Sequence, residues 1–369
     1  MNRHEVYMKR VLQLAKGGWG RTNPNPLVGA VIVRDGEVIA EGYHQVLGGS
    51  HAEVDALNNC KQEVSGSTLY VNLEPCSHYG KTPPCALRII EAGIKKVVVA
   101  MQDPNPLVSG RGIKMLRDAG IEVIEGILEK EARVLNEIFI KYISNKMPFV
   151  IMKTAMTLDG KIASISGDSK WISGERSRQQ VHVIRDRVSA IMVGINTVIV
   201  DNPALTARLN YGRGRDPIRI IVDSKGIIPI DSQVINVESS SGVILATTSL
   251  IDCEKENMLK DKGVHILKLD NPSSKGRVDL NRLMQELYKL EIDSVLLEGG
   301  GNLNAAALNC GIVDKVMFFI APKIIGGVAA KTSIEGEGIS LMKDAINLKN
   351  ISIQRFDEDI LIEGYVKGE

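Results

Sequence analysis

One histidine, one glutamate and two cysteines are spaced so that a short stretch of chain can assemble a metal-dependent hydrolytic site. His51-Ala52-Glu53 is followed by Glu74-Pro75-Cys76 and, beyond Pro83-Pro84, by Cys85. One imidazole and two thiolates match zinc in softness and in tetrahedral preference. Three protein ligands leave a fourth position for water, and zinc lowers the pKa of such a water to about 7. Glu53 lies two residues from His51 near a helix start, where its carboxylate can sit beside the metal without binding it. From there it can carry a proton from the water to a ring nitrogen and to a departing amine. The five cysteines, Cys60, Cys76, Cys85, Cys253 and Cys310, are too sparse and odd in number for a disulfide framework, which favours metal use. His78 competes as a ligand by type. A purely structural zinc is the serious alternative, opposed by Glu53 and by the three-ligand count.

These residues need elements to hold them. A helical stripe ends at Gly17-Gly18, and strands at 28–33 and 38–42 flank Asp35-Gly36, a hairpin signal. A helix opens near Ser50-His51, strands follow at 68–73 and 96–101 with a helix at 85–92 between them, and a helix ending at Ala119-Gly120 leads to a strand at 121–124. The pattern restarts after Asn145-Lys146-Met147-Pro148, which places a boundary between residues 1–146 and 147–369. The second part offers strands at 149–155, 190–194, 218–223, 243–247, 264–267, 295–298 and 315–320, helices at 175–185, 279–290 and 302–309, and a closing pair near 356–365. Both parts therefore read as α/β domains. In the second, a strand ending at Glu298 meets Gly299-Gly300-Gly301 and a helix from Asn302, so that backbone N–H groups of Gly300, Gly301 and Asn302 can face a pyrophosphate. The full G-x-G-x-x-G fingerprint is missing. Ser224-Lys225, directly after a strand, can hold a ribose phosphate.

Composition narrows the partners. With 45 Lys+Arg against 44 Asp+Glu, 4% aromatics and no run of five like charges, a polyanion partner such as nucleic acid is disfavoured. No apolar segment is long enough for a membrane span. Residues 1–16 read as an amphipathic helix rather than a signal peptide, so a cytoplasmic location is expected. A small-molecule substrate and a homo-oligomeric assembly complete the expectation.

The H-x-E and P-C layout is similar to that of zinc deaminases, although their two cysteines are commonly separated by two residues. With its longer spacer, this chain resembles the bifunctional deaminase-reductases of riboflavin biosynthesis. The resemblance rests on Thr22-Asn23-Pro24-Asn25-Pro26-Leu27-Val28-Gly29, His51-Ala52-Glu53 and the stretch from Glu74 to Cys85. It continues through Lys153-Thr154-Ala155-Met156-Thr157-Leu158-Asp159-Gly160, Trp171-Ile172-Ser173, Asp201-Asn202-Pro203 and Glu298-Gly299-Gly300. It implies a cytidine-deaminase-like three-layer domain followed by a dihydrofolate-reductase-like domain. It further implies deamination of a phosphoribosylamino diaminopyrimidine, then NADPH-dependent reduction of its ribose. By that likeness Ala155, Trp171, Thr197, Asp201 and Ser224 line the cofactor, and Ser169, Arg185, Leu205, Arg208 and Glu298 face the substrate. Asn25, His44, Lys81 and Asn105 are the candidates for the substrate's phosphate near the metal, and Asp201, Glu298 and Lys153 for the reductase proton donor. Ser189 stands where the family often has aspartate, and no function is carried to it. Two rival readings are a nucleoside or RNA deaminase with a non-catalytic C-terminal binding module, and a zinc-stabilised scaffold without turnover.

Overall fold

The computed structural model describes residues 2–366 except 80–82, 107 and 211. The chain divides into two compact units, Met1–Lys146 and Met147–Glu369. No helix among the described residues is long and apolar enough to cross a membrane.

In the first unit the strands are β1 (Gly29–Arg34), β2 (Glu37–Tyr43), β3 (Thr68–Leu73), β4 (Lys96–Met101) and β5 (Glu122–Glu125), in the order β2-β1-β3-β4-β5. The β1-β2 hairpin turns on Asp35 and Gly36, both at positive φ (51° and 88°), the conformation that matches the twist of the flanking strands. β1 is antiparallel to both neighbours, whereas β3, β4 and β5 run parallel. Parallel strands need crossover helices, here α3 (Cys85–Glu91) and α4 (Arg111–Asp118). They share one face with α2 (Ala52–Asn59); α1 (Arg3–Ala15) and α5 (Glu129–Leu135) cover the other, and α6 (Glu137–Asn145) ends the unit. Between these layers Ala30, Val31 and Ile32 of β1 are fully buried. Sequence patterning had not resolved α5 or α6.

The helix that carries His51 and Glu53 lies against β2 because position 42 is glycine. A Cβ there would stand 2.3 Å from the Ala56 amide nitrogen and 2.8 Å from the Ala52 carbonyl oxygen, both backbone atoms of α2.

The second unit holds a nine-stranded sheet. In chain order its strands and helices are β6 (Phe149–Thr157), α7 (Glu175–Arg187), β7 (Ala190–Gly194), α8 (Ile195–Asp201), the short ribbon β8 (Arg208–Leu209) and β9 (Gly212–Arg213), β10 (Ile218–Val222) and α9 (Gln233–Asn236). Then come β11 (Val243–Thr247), α10 (Cys253–Asp261), β12 (His265–Lys268), α11 (Leu280–Lys289), β13 (Ser294–Leu297), α12 (Gly301–Asn309), β14 (Lys315–Ala321), β15 (Leu348–Phe356) and β16 (Asp359–Val366). The sheet order is β12-β11-β10-β7-β13-β6-β14-β16-β15, parallel up to β14, with the last two strands antiparallel. Alternate residues feed two separate cores. Met192, Ile220 and Ile244 pack with Leu283, Met284 and Leu287 of α11 on one face, while Ile191, Val193, Ile221 and Leu245 pack with Val198 and Leu259 on the other. Helix α8 is a departure from the sequence pattern: its β-branched run Ile195-Asn196-Thr197-Val198-Ile199-Val200 favours strand by propensity, and burial of Val198 in the second core goes with the helix instead.

Substituting Gly42→Ala is expected to lower stability by about 1–3 kcal/mol, the usual cost of overpacking, because α2 must move off β2. Chemical denaturation followed by circular dichroism reads this directly, and a midpoint equal to the parent's would show that the helix yields without cost.

Candidate active sites

His51 occupies the N-cap of α2, its carbonyl accepting the Asp55 N–H, which leaves the ring to the opposite loop. Its Nδ1 lies 3.2 Å from the Cys85 sulfur and 3.6 Å from that of Cys76. The three ligand atoms fall within 4.8 Å of one another, the only group of three or more metal-ligating side chains found among the described residues. Cys76 leaves the end of β3, and Cys85 is the first residue of α3, whose N–H donates to the Cys76 sulfur at 3.2 Å. Hydrogen bonding from Cys85, then from His51, brings the Cys76 thiol down to about 4, while that same bond and burial push Cys85 up. A thiolate at a helix start beside an imidazole is the donor set zinc requires. Glu53, in the first turn of α2, is 3% exposed, and burial, followed by the charge of Cys76, raises its carboxyl to about 7. At that value it can both take up and release a proton near neutrality.

Behind the metal ligands stands a residue to which sequence reasoning gave no role. The buried Glu74 carboxylate accepts four backbone N–H groups, from Asp103 (3.2 Å), Gly110 (2.9 Å), Gly112 (2.9 Å) and Ile113 (3.2 Å). Three of these belong to the start of α4, which has no side-chain cap of its own. One carboxylate therefore ties both ends of the 103–110 loop to the segment that enters Cys76. Only a tertiary contact reveals this, since the pairing spans residues far apart in the chain.

Of the four phosphate candidates, Asn25 and His44 come together. Asn25 Nδ2 donates to His44 Nε2 at 3.3 Å, and His44 Nδ1 donates to the Ser50 carbonyl at 2.9 Å. The His44 ring meets that of His51 edge-on, with centroids 5.7 Å apart. Burial lowers the His44 pKa, so the ring is neutral near pH 7. Asn105 lies in the loop clamped by Glu74, its N–H bonded to Asp103. Lys81 lies outside the described residues. His78, the competing ligand by type, is exposed and falls outside the metal-ligating group.

In the second unit a cavity of about 370 Å³ opens at the carboxyl ends of β7, β10 and β13, where β13 inserts between the earlier strands β6 and β7. Such a switch in strand order makes a crevice in open α/β sheets. Thr197, Asp201, Ser224, Gly300, Gly301 and Asn302 all line it; Ala155 and Trp171 do not. The start of α12 has no side-chain cap, and a Cβ on Gly300 would meet nothing within 4 Å, so a ligand can approach these amides closely. Sequence reasoning missed Arg277, Lys331 and Glu335, which reach the same cavity from distant segments. Lys225 is exposed and does not line it.

A separate polar cluster joins three elements. Glu298 receives Arg185 through two bonds, Nε to Oε1 at 2.7 Å and Nη2 to Oε2 at 2.9 Å, and Lys153 Nζ at 3.3 Å. Burial alone would raise the Glu298 carboxyl, but the charges of Arg185 and Lys153 outweigh it and hold it at about 2. Near pH 7 Glu298 is therefore an anion and cannot donate a proton. Asp201 differs: burial raises its pKa, with Lys170 opposing. Beside the cluster, Arg185 Nη1 donates to the Thr206 carbonyl and the Arg208 N–H donates to His182 Nδ1. Leu205, buried with φ 54°, lies in the same segment. Ser169 is half-buried, and Trp171 is exposed beneath the Arg178 guanidinium at 4.6 Å. Ser189 is buried and donates to Asp293 at 2.7 Å, a structural bond.

A family model matches within each unit: a cytidine and deoxycytidylate deaminase zinc-binding region over residues 1–101, and the RibD C-terminal domain over residues 148–362. The riboflavin biosynthesis protein RibD of Actinobacillus pleuropneumoniae is 50% identical over 357 residues, 97% of this chain and 94% of that one. This chain belongs to the RibD family. Two solved structures agree. A Thermotoga maritima diaminohydroxyphosphoribosylaminopyrimidine deaminase/5-amino-6-(5-phosphoribosylamino)uracil reductase is 41% identical with a TM-score of 0.86, and Acinetobacter baumannii RibD is 37% identical with a TM-score of 0.88. Each covers 99% of both chains. A RibD C-terminal domain sets aside the reading of a nucleoside or RNA deaminase with a non-catalytic C-terminal module.

For this RibD family member the Glu298 cluster makes a pH-dependent contribution to stability. Its carboxyl is depressed from 4.5 to about 2 on folding, so the contribution is complete above 4.5 and is lost as pH falls toward 2. Its size is on the order of 3 kcal/mol. Denaturant titrations between about pH 6 and about pH 3 should show the parent losing stability faster than Glu298→Gln, which starts lower because Arg185 and Lys153 are left buried without their anion. Parallel curves would mean Glu298 is not held as an anion in the fold.

Proposed function

We infer that this chain catalyses two successive steps of riboflavin biosynthesis: zinc-dependent hydrolytic deamination of a phosphoribosylamino diaminopyrimidine by residues 1–146, and NADPH-dependent reduction of its ribose by residues 147–369. The observation that carries the reading is the convergence of His51 Nδ1 with the Cys76 and Cys85 sulfurs beside a buried carboxyl poised at about 7. The deaminase and reductase named for the 41% identical Thermotoga maritima protein support both halves.

His51, Cys76 and Cys85 hold the metal, and bound zinc supplies the activation of water. Glu53 would take one proton from that water and give it to the ring nitrogen, then take the second from the new hydroxyl and give it to the amine, which departs as ammonia. Asn25, His44, Lys81 and Asn105 bind the phosphorylated substrate, with His44 acting as a neutral hydrogen-bonding group. In the second unit the glycine turn and the start of α12 receive the cofactor diphosphate, and bound NADPH supplies a hydride to C1 of the ring-opened sugar. Asp201 donates the accompanying proton to the imine nitrogen, a role that fits its raised pKa and its place on the cavity wall. Glu298 and Arg185, locked as an ion pair with Lys153, orient the sugar as fixed charges. A cytoplasmic enzyme made of identical chains suits this chemistry, and the edge strand β15 leaves Ile351 and Ile353 59% and 67% exposed to receive a neighbour.

Glu53→Gln is expected to retain zinc by metal analysis while deamination falls by about 10²–10⁴-fold. Loss of metal from this variant would make Glu53 structural, and full activity would remove it from the proton path. With the deaminated substrate supplied, Asp201→Asn should slow NADPH oxidation by a comparable factor, about 10²–10⁴. An unchanged rate would exclude Asp201 as the donor.

A further inference from the structure

The cofactor cavity has two chemically different ends. At one, Gly300, Gly301 and Asn302 begin α12, and the 331–335 segment lies against them. The Glu335 N–H donates to the Gly301 carbonyl, and Glu335 accepts from Asn302 Nδ2 at 2.8 Å. Lys331 is the cation at this end. At the other, Val222 and Ser224 leave β10 and meet Arg277, Val278 and Leu280. Ser224 joins the two segments: its Oγ accepts the Val278 N–H at 3.3 Å, and its carbonyl accepts the Thr248 hydroxyl at 2.6 Å. That leaves the Ser224 hydroxyl hydrogen free to donate into the cavity. A β-bridge from Val278 to Asp270 and the bond from the Arg277 N–H to the Ser274 carbonyl fix the backbone that carries Arg277. Among the described residues the Arg277 guanidinium has no ion pair or hydrogen bond.

We propose that Arg277 binds the phosphate monoester on the adenosine ribose of the nicotinamide cofactor, and that this cation makes the site take NADPH in preference to NADH. The inference rests on the cavity being the cofactor site. Both dinucleotides carry the diphosphate that the α12 end serves, so that end cannot tell them apart. Only the phosphorylated one brings a further dianion, and discrimination requires a cation away from the glycine turn. Four charged side chains line the cavity. Asp201 and Glu335 have the wrong sign, and Lys331 belongs to the diphosphate end. Arg277 has the fork of donors that a phosphate monoester accepts, with the Ser224 hydroxyl beside it. Lys225, the cation nearest Ser224 in the sequence, does not line the cavity, whereas Arg277, which is also exposed, does.

Equilibrium calorimetry on the full chain tests this without turnover, using NADP⁺ and NAD⁺ against the parent, Arg277→Gln and Lys225→Gln. The parent should bind NADP⁺ more tightly. Arg277→Gln should lose about 10–100-fold in NADP⁺ affinity with NAD⁺ affinity within about twofold, the range for a charge-assisted pair, and Lys225→Gln should match the parent. Retained NAD⁺ binding doubles as the check on folding. An unchanged preference in Arg277→Gln, an equal loss for both dinucleotides, or a loss in Lys225→Gln instead would each overturn the assignment. A parent chain that binds neither dinucleotide would bring down the cavity reading beneath it.

Discussion

Wherever parallel strands are joined by a helix, the carboxyl end of a strand abuts the amino end of the helix that follows, and the unpaired N–H groups there point into the same space. Both candidate sites depend on that constraint. In the first unit β3 delivers Cys76 and α3 begins at Cys85, so a thiolate meets a helix start. In the second unit β13 ends at Leu297, the glycines turn, and α12 opens its amides onto the cavity that β7 and β10 also reach. The chemistry differs, but the backbone device is the same.

Three glutamates, two buried and one largely so, show how surroundings set the task of one side chain. Glu74 accepts four backbone N–H groups and acts as a clamp. Glu298 keeps its charge through two cations and becomes a fixed anion. For Glu53 burial and the charge of Cys76 outweigh a backbone hydrogen bond, the His51 charge and a bond from Cys85, so its carboxyl rises to about 7 and its proton is mobile near neutrality. Composition alone could not separate these roles, because each follows from what folds against the carboxylate.

The sequence was most legible where function compresses into a short run. His51, Glu53, Cys76 and Cys85 lie within a few dozen residues, and ligand chemistry limits what such a set can do. The hairpin at Asp35-Gly36 was equally open, since two positive φ angles leave few residue choices. Helix α8 was not legible, because its β-branched residues obey the core around Val198 rather than their own propensity. Nor were Glu74 as a clamp and Arg277 as a cavity cation, whose meaning arises from contacts across tens of residues. Lys225 had looked the better phosphate ligand only because it is adjacent to Ser224 in the chain.

The position of β6 has a consequence for synthesis on the ribosome. It is the first strand of the second unit to be made, yet its sheet neighbours β13 and β14 begin only at Ser294 and Lys315. At ordinary elongation rates an apolar strand waits on the order of ten seconds for its partners. The first unit, complete at Lys146, has no such wait. Nascent chains of this architecture should therefore recruit chaperones late, while the second half is emerging, and any slowing of translation between β6 and β13 prolongs the interval in which the growing polypeptide can aggregate.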